Sequence, residues 1–374
     1  MVDKEYYLKL SKEAQDNYKF YKEEAESSIC RREYTISKRY DISPYWYGRQ
    51  STVPEEITEE ETDTYYEFDN HDRLRISACD ELIDGYAYTV YEDNRIITRL
   101  YVRGVLDSIK EYLIYDGFIK RCIEYSARND KLQYEDYIYE GERLIQVYQP
   151  QYESNSGYFD HLVRTYFEYD EKGILSRVLD GTKGVIYVMM LAEDVALLRE
   201  EVKKGLIAAL REIIGNVSRV LVDRSCCFLA IFLHDEAHTV YSPIFQPGLQ
   251  NIRDEQVENK KDYETIWNSG EHPGKYQQEL TDQELTDQEL IQKLRNLIMF
   301  WHNTDDWWEE GMKLWQEVAY SLNETNWSEN FILTEDFIVF VDREGLEVTN
   351  GELEKSIPLV KLELLRSKGL VPVH

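Results

Sequence analysis

Apolar and polar positions follow two different periods along the chain. Near the N-terminus, apolar residues recur every three or four positions, at Tyr7, Leu10, Ala14, Tyr18 and Tyr21. This spacing predicts an amphipathic helix over residues 3–30. Further along, in stretches such as "EYLIY" and "RCIEY", the period becomes two. That alternation predicts antiparallel strands with one face turned to the core.

Five related phrases recur in this middle segment, each with an aromatic residue, an acidic residue, a polar turn and a branched apolar residue. They are "FDNHDRLRI" from Phe68, "YEDNRIITRL" from Tyr91, "YDGFIKRCI" from Tyr115, "YEGERLIQV" from Tyr139 and "YDEKGILSRV" from Tyr169. Asp-Gly and Glu-Gly pairs tolerate the positive φ angles of tight hairpin turns. Because each phrase predicts one hairpin, and isolated hairpins are marginal, the five predict a continuous meander of about ten strands.

These phrases resemble the YD repeats of bacterial Rhs and teneurin-type proteins, in which Tyr-Asp, a glycine-bearing turn and Arg-Leu recur. The resemblance covers about residues 64–180 and is degenerate. The literal pairs are Tyr115-Asp116, Tyr169-Asp170, Arg73-Leu74 and Arg143-Leu144. In that family long arrays form a shell around a toxin, and five repeats are too few to enclose one. The resemblance implies an open, curved sheet and a place among bacterial toxin systems. A generic β-meander is the alternative.

A different pattern begins after "DGTKG", Asp180 to Gly184. Helical spacing over residues 190–214 predicts a helix that stops at Gly215, and "CCFLAIFLH" predicts a buried strand. Further helices and strands alternate to the C-terminus. The predicted fold class is therefore α+β, with three segments. They are residues 1–63, an N-terminal helix and lead-in strand; 64–184, the hairpin-repeat sheet; and 185–374, a C-terminal α+β domain.

The net charge of the chain limits which classes of molecule are expected to bind it. The 374 residues include 72 Asp and Glu against 43 Lys and Arg, which gives a formal net charge of -29. A charge of this size repels nucleic acid and anionic membranes and attracts a basic protein. No apolar run approaches the ~20 residues that a membrane-spanning helix requires. The five cysteines form no Cys-x-x-Cys pair, so we expect a reducing, cytoplasmic setting.

The segment "WHNTDDWWEEGMKLW" is the densest combination of aromatic and acidic residues. Trp301, Trp308 and Trp315 are spaced by seven, which favours a core stripe on a helix face. The functional alternative is a binding surface, in which Trp307 is exposed because it cannot share that face, and carboxylates receive a basic partner. The predicted partner-binding residues are Trp307, Trp308, Asp305, Asp306, Glu309 and Glu310.

The segment "HDEAH" is the only candidate for metal chemistry. His234 and His238 stand four residues apart, which on a helix would direct both to one metal ion. The zinc-peptidase pattern has Glu directly after the first His as general base, whereas Asp235 occupies that place here. The segment also lies between two strand-like runs, where the helical argument does not apply. We therefore expect no metal and no cofactor, with a metal site at these histidines as the alternative.

No motif for nucleotide binding or nucleophilic catalysis is present: there is no P-loop, no Gly-x-Gly-x-x-Gly after a strand and no Gly-x-Ser-x-Gly. The sequence therefore predicts a non-enzymatic protein–protein interaction protein. In a bacterial setting it would be an immunity or antagonist protein that neutralises a basic toxin domain through an acidic, Trp- and Tyr-bearing surface. The alternative function is a metal-dependent hydrolase at His234 and His238, and an envelope or shell component built from repeats is a third.

Overall fold

The chain folds as two compact units, Met1–Met189 and Met190–His374. The computed structural model describes residues 3–78, 84–152, 160–221, 224–234, 242–280, 287–304, 306–325, 332–343 and 346–373. Each unit is organised around its own β-sheet. The predicted α+β class with an antiparallel meander is confirmed.

The N-terminal unit is built on a thirteen-stranded antiparallel sheet. Its strands are β1 (Arg31–Thr35), β2 (Ile57–Thr58), β3 (Thr64–Phe68), β4 (Leu74–Ala78), β5 (Gly85–Glu92), β6 (Arg95–Val102), β7 (Val105–Tyr115), β8 (Phe118–Ser126), β9 (Lys131–Glu140), β10 (Arg143–Tyr148), β11 (Arg164–Tyr169), β12 (Leu175–Leu179) and β13 (Val185–Val188). Its helices are α1 (Lys4–Asp16), α2 (Tyr18–Glu26), α3 (Trp46–Arg49) and α4 (Asp160–Val163). From β3 to β13 each strand pairs with the next, whereas β1 lies between β3 and β2.

The five phrases form the hairpins β3–β4, β5–β6, β7–β8, β9–β10 and β11–β12. Their turns have the backbone conformation that the sequence indicates. In the β7–β8 turn the φ angles of Asp116 and Gly117 are +52° and +80°, and in the β9–β10 turn the φ angle of Gly141 is +59°. Positive φ at both central residues is the geometry that Asp-Gly pairs favour in two-residue hairpins. The predicted hairpins and their ten strands are therefore confirmed.

Different segments cover the two faces of this sheet. On one face, helices α1 and α2 place Ala14 and Tyr21 against Ile109 of β7. On the other face, Tyr45 packs against a cluster that includes Tyr112 of the same strand. Ile109 and Tyr112 point to opposite sides because side chains alternate along a strand. The helix predicted over residues 3–30 is interrupted at Asn17, which separates α1 from α2.

The C-terminal unit contains a four-stranded sheet in the order β16-β15-β14-β17. Its strands are β14 (Ser225–Leu233), β15 (Ile244–Leu249), β16 (Gln278–Glu279) and β17 (Ile332–Arg343). Its helices are α5 (Ala192–Val220), α6 (Gln250–Glu258), α7 (Tyr263–Trp267), α8 (Gln288–Asn303), α9 (Trp307–Leu322) and α10 (Leu359–Ser367). Strands β14 and β17 run parallel, whereas β14 and β15 are antiparallel.

Helices pack on both faces of the second sheet. Buried residues of α5, α8 and α9 form one hydrophobic core with β14, β15 and β17. Buried residues of α7 and α10 form a second core with the opposite side of β14 and β17. Because both faces are covered, β14 is apolar along almost its whole length, as expected for a strand that is buried on both sides.

Helix α5 continues to Val220, so the predicted stop at Gly215 is wrong. Glycine inside a helix costs about 1 kcal/mol relative to alanine. The buried residues Leu206, Leu210 and Ile214, at intervals of four, anchor this helix in the core and outweigh that cost. Although α5 is 29 residues long, no helix in the described ranges combines the length and the apolarity that crossing a bilayer requires.

Two glycines should respond in opposite directions to alanine. Gly117→Ala should lower the free energy of unfolding by about 1–2 kcal/mol, because a left-handed conformation is strained for a residue with a Cβ. Gly215→Ala should raise it by about 0.5–1 kcal/mol, since a Cβ at this helical position meets no described atom within 4 Å beyond its chain neighbours and the backbone of its own helix. Urea denaturation of the full chain, followed by circular dichroism, measures both. Equal losses in the two variants would contradict this account.

Candidate functional site

The predicted partner-binding residues lie at the start of α9, whose first residue is Trp307. Trp307 and Trp308 are both half-buried, and their rings meet edge to face with centroids 5.7 Å apart. Both side chains also pack against the hydrophobic core of the C-terminal unit. The full exposure predicted for Trp307 is not observed. The two rings instead form a fixed, partly accessible aromatic pair.

The acidic residues beside this pair differ in their availability. Asp306 and Glu309 are exposed, and neither forms an ion pair with another described residue. Glu310 lies 3.8 Å from the guanidinium of Arg199 and 3.5 Å from the ammonium of Lys313. Asp305 lies outside the described residues. Asp306 and Glu309 are therefore the two carboxylates here that remain open to a cationic group.

Trp301 and Trp315 are core residues, with exposed fractions of 3% and 0%. They lie on different helices, because α8 ends at Asn303 and α9 begins at Trp307. Both helices turn these side chains into the same hydrophobic core. The seven-residue spacing thus correctly indicated burial for these two tryptophans, although the stripe does not lie on a single helix.

His234 directly follows β14 and is exposed, with its ring 4.6 Å from the ring of Phe232. His238 lies outside the described residues. Side chains four positions apart converge on a helix but not at the end of a strand. In the part of the chain that the structure describes, no group of three or more His, Cys, Asp or Glu side chains could hold a metal ion.

A crevice of about 430 Å³ opens at the carboxyl ends of the parallel strands β14 and β17. Phe232 and Asp342 line it from the sheet and are direct neighbours in the register of these strands. Asp262 and Glu264 line it from the start of α7, and Asn268 from the turn that follows. Open α/β sheets commonly bind ligands beyond the carboxyl ends of their strands, so this position suits a binding site.

Asp342 is a deeply buried carboxyl group in this crevice, with an exposed fraction of 2%. Its Oδ2 accepts a hydrogen bond from the backbone N–H of Ser269 at 3.0 Å. No ion pair within the described ranges includes Asp342. Burial raises the pKa of its carboxyl group above the usual value, and the hydrogen bonds from Ser269 and from the backbone N–H of Arg343 only partly oppose this. The crevice therefore contains a carboxylate without a counter-ion from the protein.

The other charged groups of the crevice do not supply that counter-ion. Arg343 is held by the two carboxylate oxygens of Glu352 at 2.9 and 3.0 Å. Glu264 accepts two hydrogen bonds from a neighbouring threonine. Asp262 is exposed at the N-terminus of α7, which it caps. The described lining residues of the crevice thus have an excess of negative charge, and the one cation among them, Arg343, is already paired.

Comparison of the chain with protein-family models, with curated proteins and with solved structures finds no match. The resemblance of the five phrases to YD repeats therefore stays a prediction from the residues themselves.

A second polar cavity, of about 160 Å³, lies in the N-terminal unit. Its lining charges form the pairs Lys38–Asp41, Arg49–Glu135 and Lys110–Glu124. Burial by itself would raise the pKa of Glu135, but the charge of Arg49, 3.1 Å away, together with hydrogen bonds from Tyr137 and Gln149, outweighs burial and lowers that pKa. Because positive and negative side chains balance among the described lining residues, none of them is an unpaired charge that would attract an ionic partner.

Sequence reasoning missed the crevice of the C-terminal unit. Its lining residues come from the end of β14, the α7 region and the end of β17, which are far apart in the sequence. One local signal was present. Asp342 follows the apolar run "FIVFV", and an acidic residue in a buried strand requires either a partner or a function. The sequence next to Asp342 does not predict which residues surround its side chain in the fold.

Proposed function

We propose that this chain is a non-enzymatic protein that binds a basic protein partner, with the start of α9 in the contact. The observation that carries the proposal is the half-buried Trp307–Trp308 pair beside the exposed, unpaired carboxylates of Asp306 and Glu309. Tryptophan is enriched among the residues that dominate binding energy, especially where its ring is already held in place. Acidic groups next to it select for a basic surface.

The charge of the whole chain supports the same class of partner. A formal net charge of -29 creates a negative potential that accelerates the approach of a basic protein. This steering weakens with salt, because at 0.1 M the Debye length is only about 10 Å. The aromatic pair would then provide contacts that salt does not screen.

In its finer form, the proposal is that the partner is a toxin domain and that the chain acts as its immunity or antagonist protein. The resemblance of the five phrases to YD repeats supports a bacterial toxin setting. The acidic surface supports occlusion of a basic active site. This finer form rests on resemblance and charge alone.

Salt-dependent capture tests the proposed class. The chain is immobilised and exposed to lysate of its host at about 0.05 M salt, and the retained protein is identified, purified and titrated by calorimetry. We expect a basic partner whose affinity falls steeply as salt rises toward 0.3 M. Retention of no protein at low salt, or of a partner whose affinity does not depend on salt, would contradict the proposal.

Variants of α9 test the site itself. Trp307→Ala should weaken binding of the purified partner by roughly 30-fold, which is the effect of losing an interface residue worth about 2 kcal/mol. The double change Asp306→Asn and Glu309→Gln should mainly slow association and reduce the salt dependence. The matched control is Glu255→Gln with Glu363→Gln, which removes the same charge from exposed positions elsewhere in the unit. Equal effects of the two double variants would place the contact outside α9.

A further inference from the structure

The crevice at the ends of β14 and β17 contains a feature that folding alone does not explain. A buried charge normally has a partner of opposite sign, because removing it from water is costly. Asp342 is 2% exposed, yet the hydrogen bonds to its carboxylate come from neutral groups, the Ser269 hydroxyl and the backbone N–H groups of Ser269 and Arg343. The neighbouring cation, Arg343, instead donates hydrogen bonds to both carboxylate oxygens of Glu352, at 2.9 and 3.0 Å. Asp342 therefore lines a cavity in which a positive charge is missing.

The walls of the crevice fit a planar cation. Phe232 stands beside Asp342 in the register of the parallel strands, so an aromatic ring adjoins the carboxylate. Cations interact favourably with aromatic faces, and guanidinium groups also stack on them. Asn268 and Gln277 are exposed and line the opening. The Asn268 Oδ1 already accepts the Gly270 N–H at 2.8 Å and has one further lone pair, and the Gln277 amide oxygen can also accept a hydrogen bond. Asp262 and Glu264 add negative charge at the same opening.

We propose that this crevice is a specificity pocket that receives an arginine side chain of a protein partner, with Asp342 as its anionic contact. The inference deepens the proposed binding of a basic protein and rests on it. A buried carboxylate in a pocket that selects a basic side chain is a known way of setting specificity. Ser269 and the backbone N–H of Arg343 donate hydrogen bonds to the Asp342 carboxylate, and the guanidinium bonds to its remaining lone pairs.

Arginine fits this arrangement better than the other cations. Its five donors can serve Asp342, Asn268 and Gln277 together, whereas a lysine ammonium is a compact, strongly hydrated point charge. Calcium and magnesium prefer several oxygens in one coordination shell. No such group of carboxylates exists among the described residues. The volume of about 430 Å³ is also sufficient for a long side chain.

Binding of small probes by the full chain tests the pocket. Acetyl-Gly-Arg-Gly-amide is titrated at low salt by NMR or calorimetry, beside the same peptide with lysine or with citrulline, the neutral analogue of arginine. We expect the arginine peptide to bind at least ten-fold more tightly than the citrulline peptide. Mg²⁺ and Ca²⁺ are titrated alone. Equal binding of arginine and citrulline peptides, or binding of a metal ion without binding of the arginine peptide, would overturn the assignment.

Two variants separate binding from folding. Asp342→Asn should weaken the arginine peptide at least ten-fold and leave the melting temperature unchanged or higher, because asparagine still accepts the Ser269 N–H and carries no buried charge. Gln277→Lys places a competing ammonium at the exposed opening and should also block binding. Glu255→Gln is the control and should bind normally. A melting temperature that falls in Asp342→Asn, with peptide binding retained in Gln277→Lys, would assign Asp342 a structural role instead.

The outcomes also distinguish this pocket from the general function. Suppose that a basic partner is captured, that its binding depends on salt, and that Asp342→Asn binds it as tightly as the original chain. The assignment of the crevice as an arginine pocket is then wrong, and the proposed function stands. If the arginine peptide binds but no basic partner is captured at low salt, the crevice recognises arginine while the proposed function fails.

Discussion

Replacing Asp336 with asparagine should lower the free energy of unfolding of the C-terminal unit by about 3–5 kcal/mol, because the change removes the closest counter-ion of a buried cation. The Asp336 carboxylate is 2% exposed, and its Oδ2 lies 3.1 Å from Nη2 of Arg253, whose side chain is 5% exposed. Nε and Nη1 of Arg253 have no hydrogen-bond acceptor in the described structure, and Nε lies 4.0 Å from a carboxylate oxygen of Asp254. Lys368, at 3.7 Å, adds a second positive charge near this carboxylate.

Urea denaturation of the full chain, followed by tryptophan fluorescence, measures this effect. All but one of the seven tryptophans belong to the C-terminal unit, so the signal reports mainly on that unit. The control is Asp306→Asn, an identical change at an exposed position, which should shift stability by no more than about 0.5 kcal/mol. A loss below about 1 kcal/mol for Asp336→Asn would mean that water reaches Arg253 and replaces the lost charge.

The effect of Asp336→Asn should also depend on pH. Burial alone would raise the pKa of Asp336, but the hydrogen bond and charge of Arg253, together with the charge of Lys368, oppose burial, and the pKa is lowered. A carboxyl group with a lowered pKa contributes stability above its unfolded pKa of about 3.9 and loses that contribution as pH falls through the folded value. The difference between the original chain and the variant should therefore be constant near pH 7 and shrink below about pH 4.

Asp336 and Asp342 form a natural pair for comparison, because both lie on β17 and both are almost fully buried. Asp336 has a counter-ion from Arg253, whereas no ion pair in the described residues includes Asp342. The same change to asparagine should therefore destabilise the protein at position 336 and not at position 342. This contrast distinguishes a carboxylate that stabilises the fold through an ion pair from one that remains available to a cationic ligand.

Trp315→Ala should lower the free energy of unfolding by about 3–5 kcal/mol, since it removes a large side chain from a close-packed core. Trp315 is 0% exposed and lies on α9 among buried residues of α5, α8 and the sheet. The surrounding helices can only partly close the space that alanine leaves. Trp307, on the same helix, is half-buried, so Trp307→Ala should cost less than half as much.

The same urea experiment compares these two tryptophan variants, with circular dichroism as the signal because fluorescence changes when a tryptophan is removed. The comparison is also the folding control for the binding experiments, because Trp307→Ala is informative about a partner only if the protein remains folded. Equal destabilisation by the two changes would show that Trp307 is part of the core, and the proposed contact at α9 would then lose its aromatic anchor.

The sequence determined the features that depend on neighbouring residues. Asp116-Gly117 predicts a turn with positive φ angles because few other residue pairs adopt that conformation without strain, and the turn is observed. The alternation within the phrases predicts which residues of each strand share a face. The burial of Trp301 and Trp315 was also predicted, although the helical spacing assumed for it is broken between α8 and α9. Each of these signals lies within a few residues.

The features that join distant segments depend on tertiary packing. Strand β1 lies between β3 and β2, and β14 pairs in parallel with β17, which follows it by about a hundred residues. No local sequence pattern predicts either pairing. Whether a buried carboxylate has a counter-ion also depends on tertiary packing. Asp336 meets Arg253 from α6, whereas Asp342 meets a backbone N–H beside a cavity. Sequence shows that both are carboxylates, but only packing between distant elements determines which one has a partner.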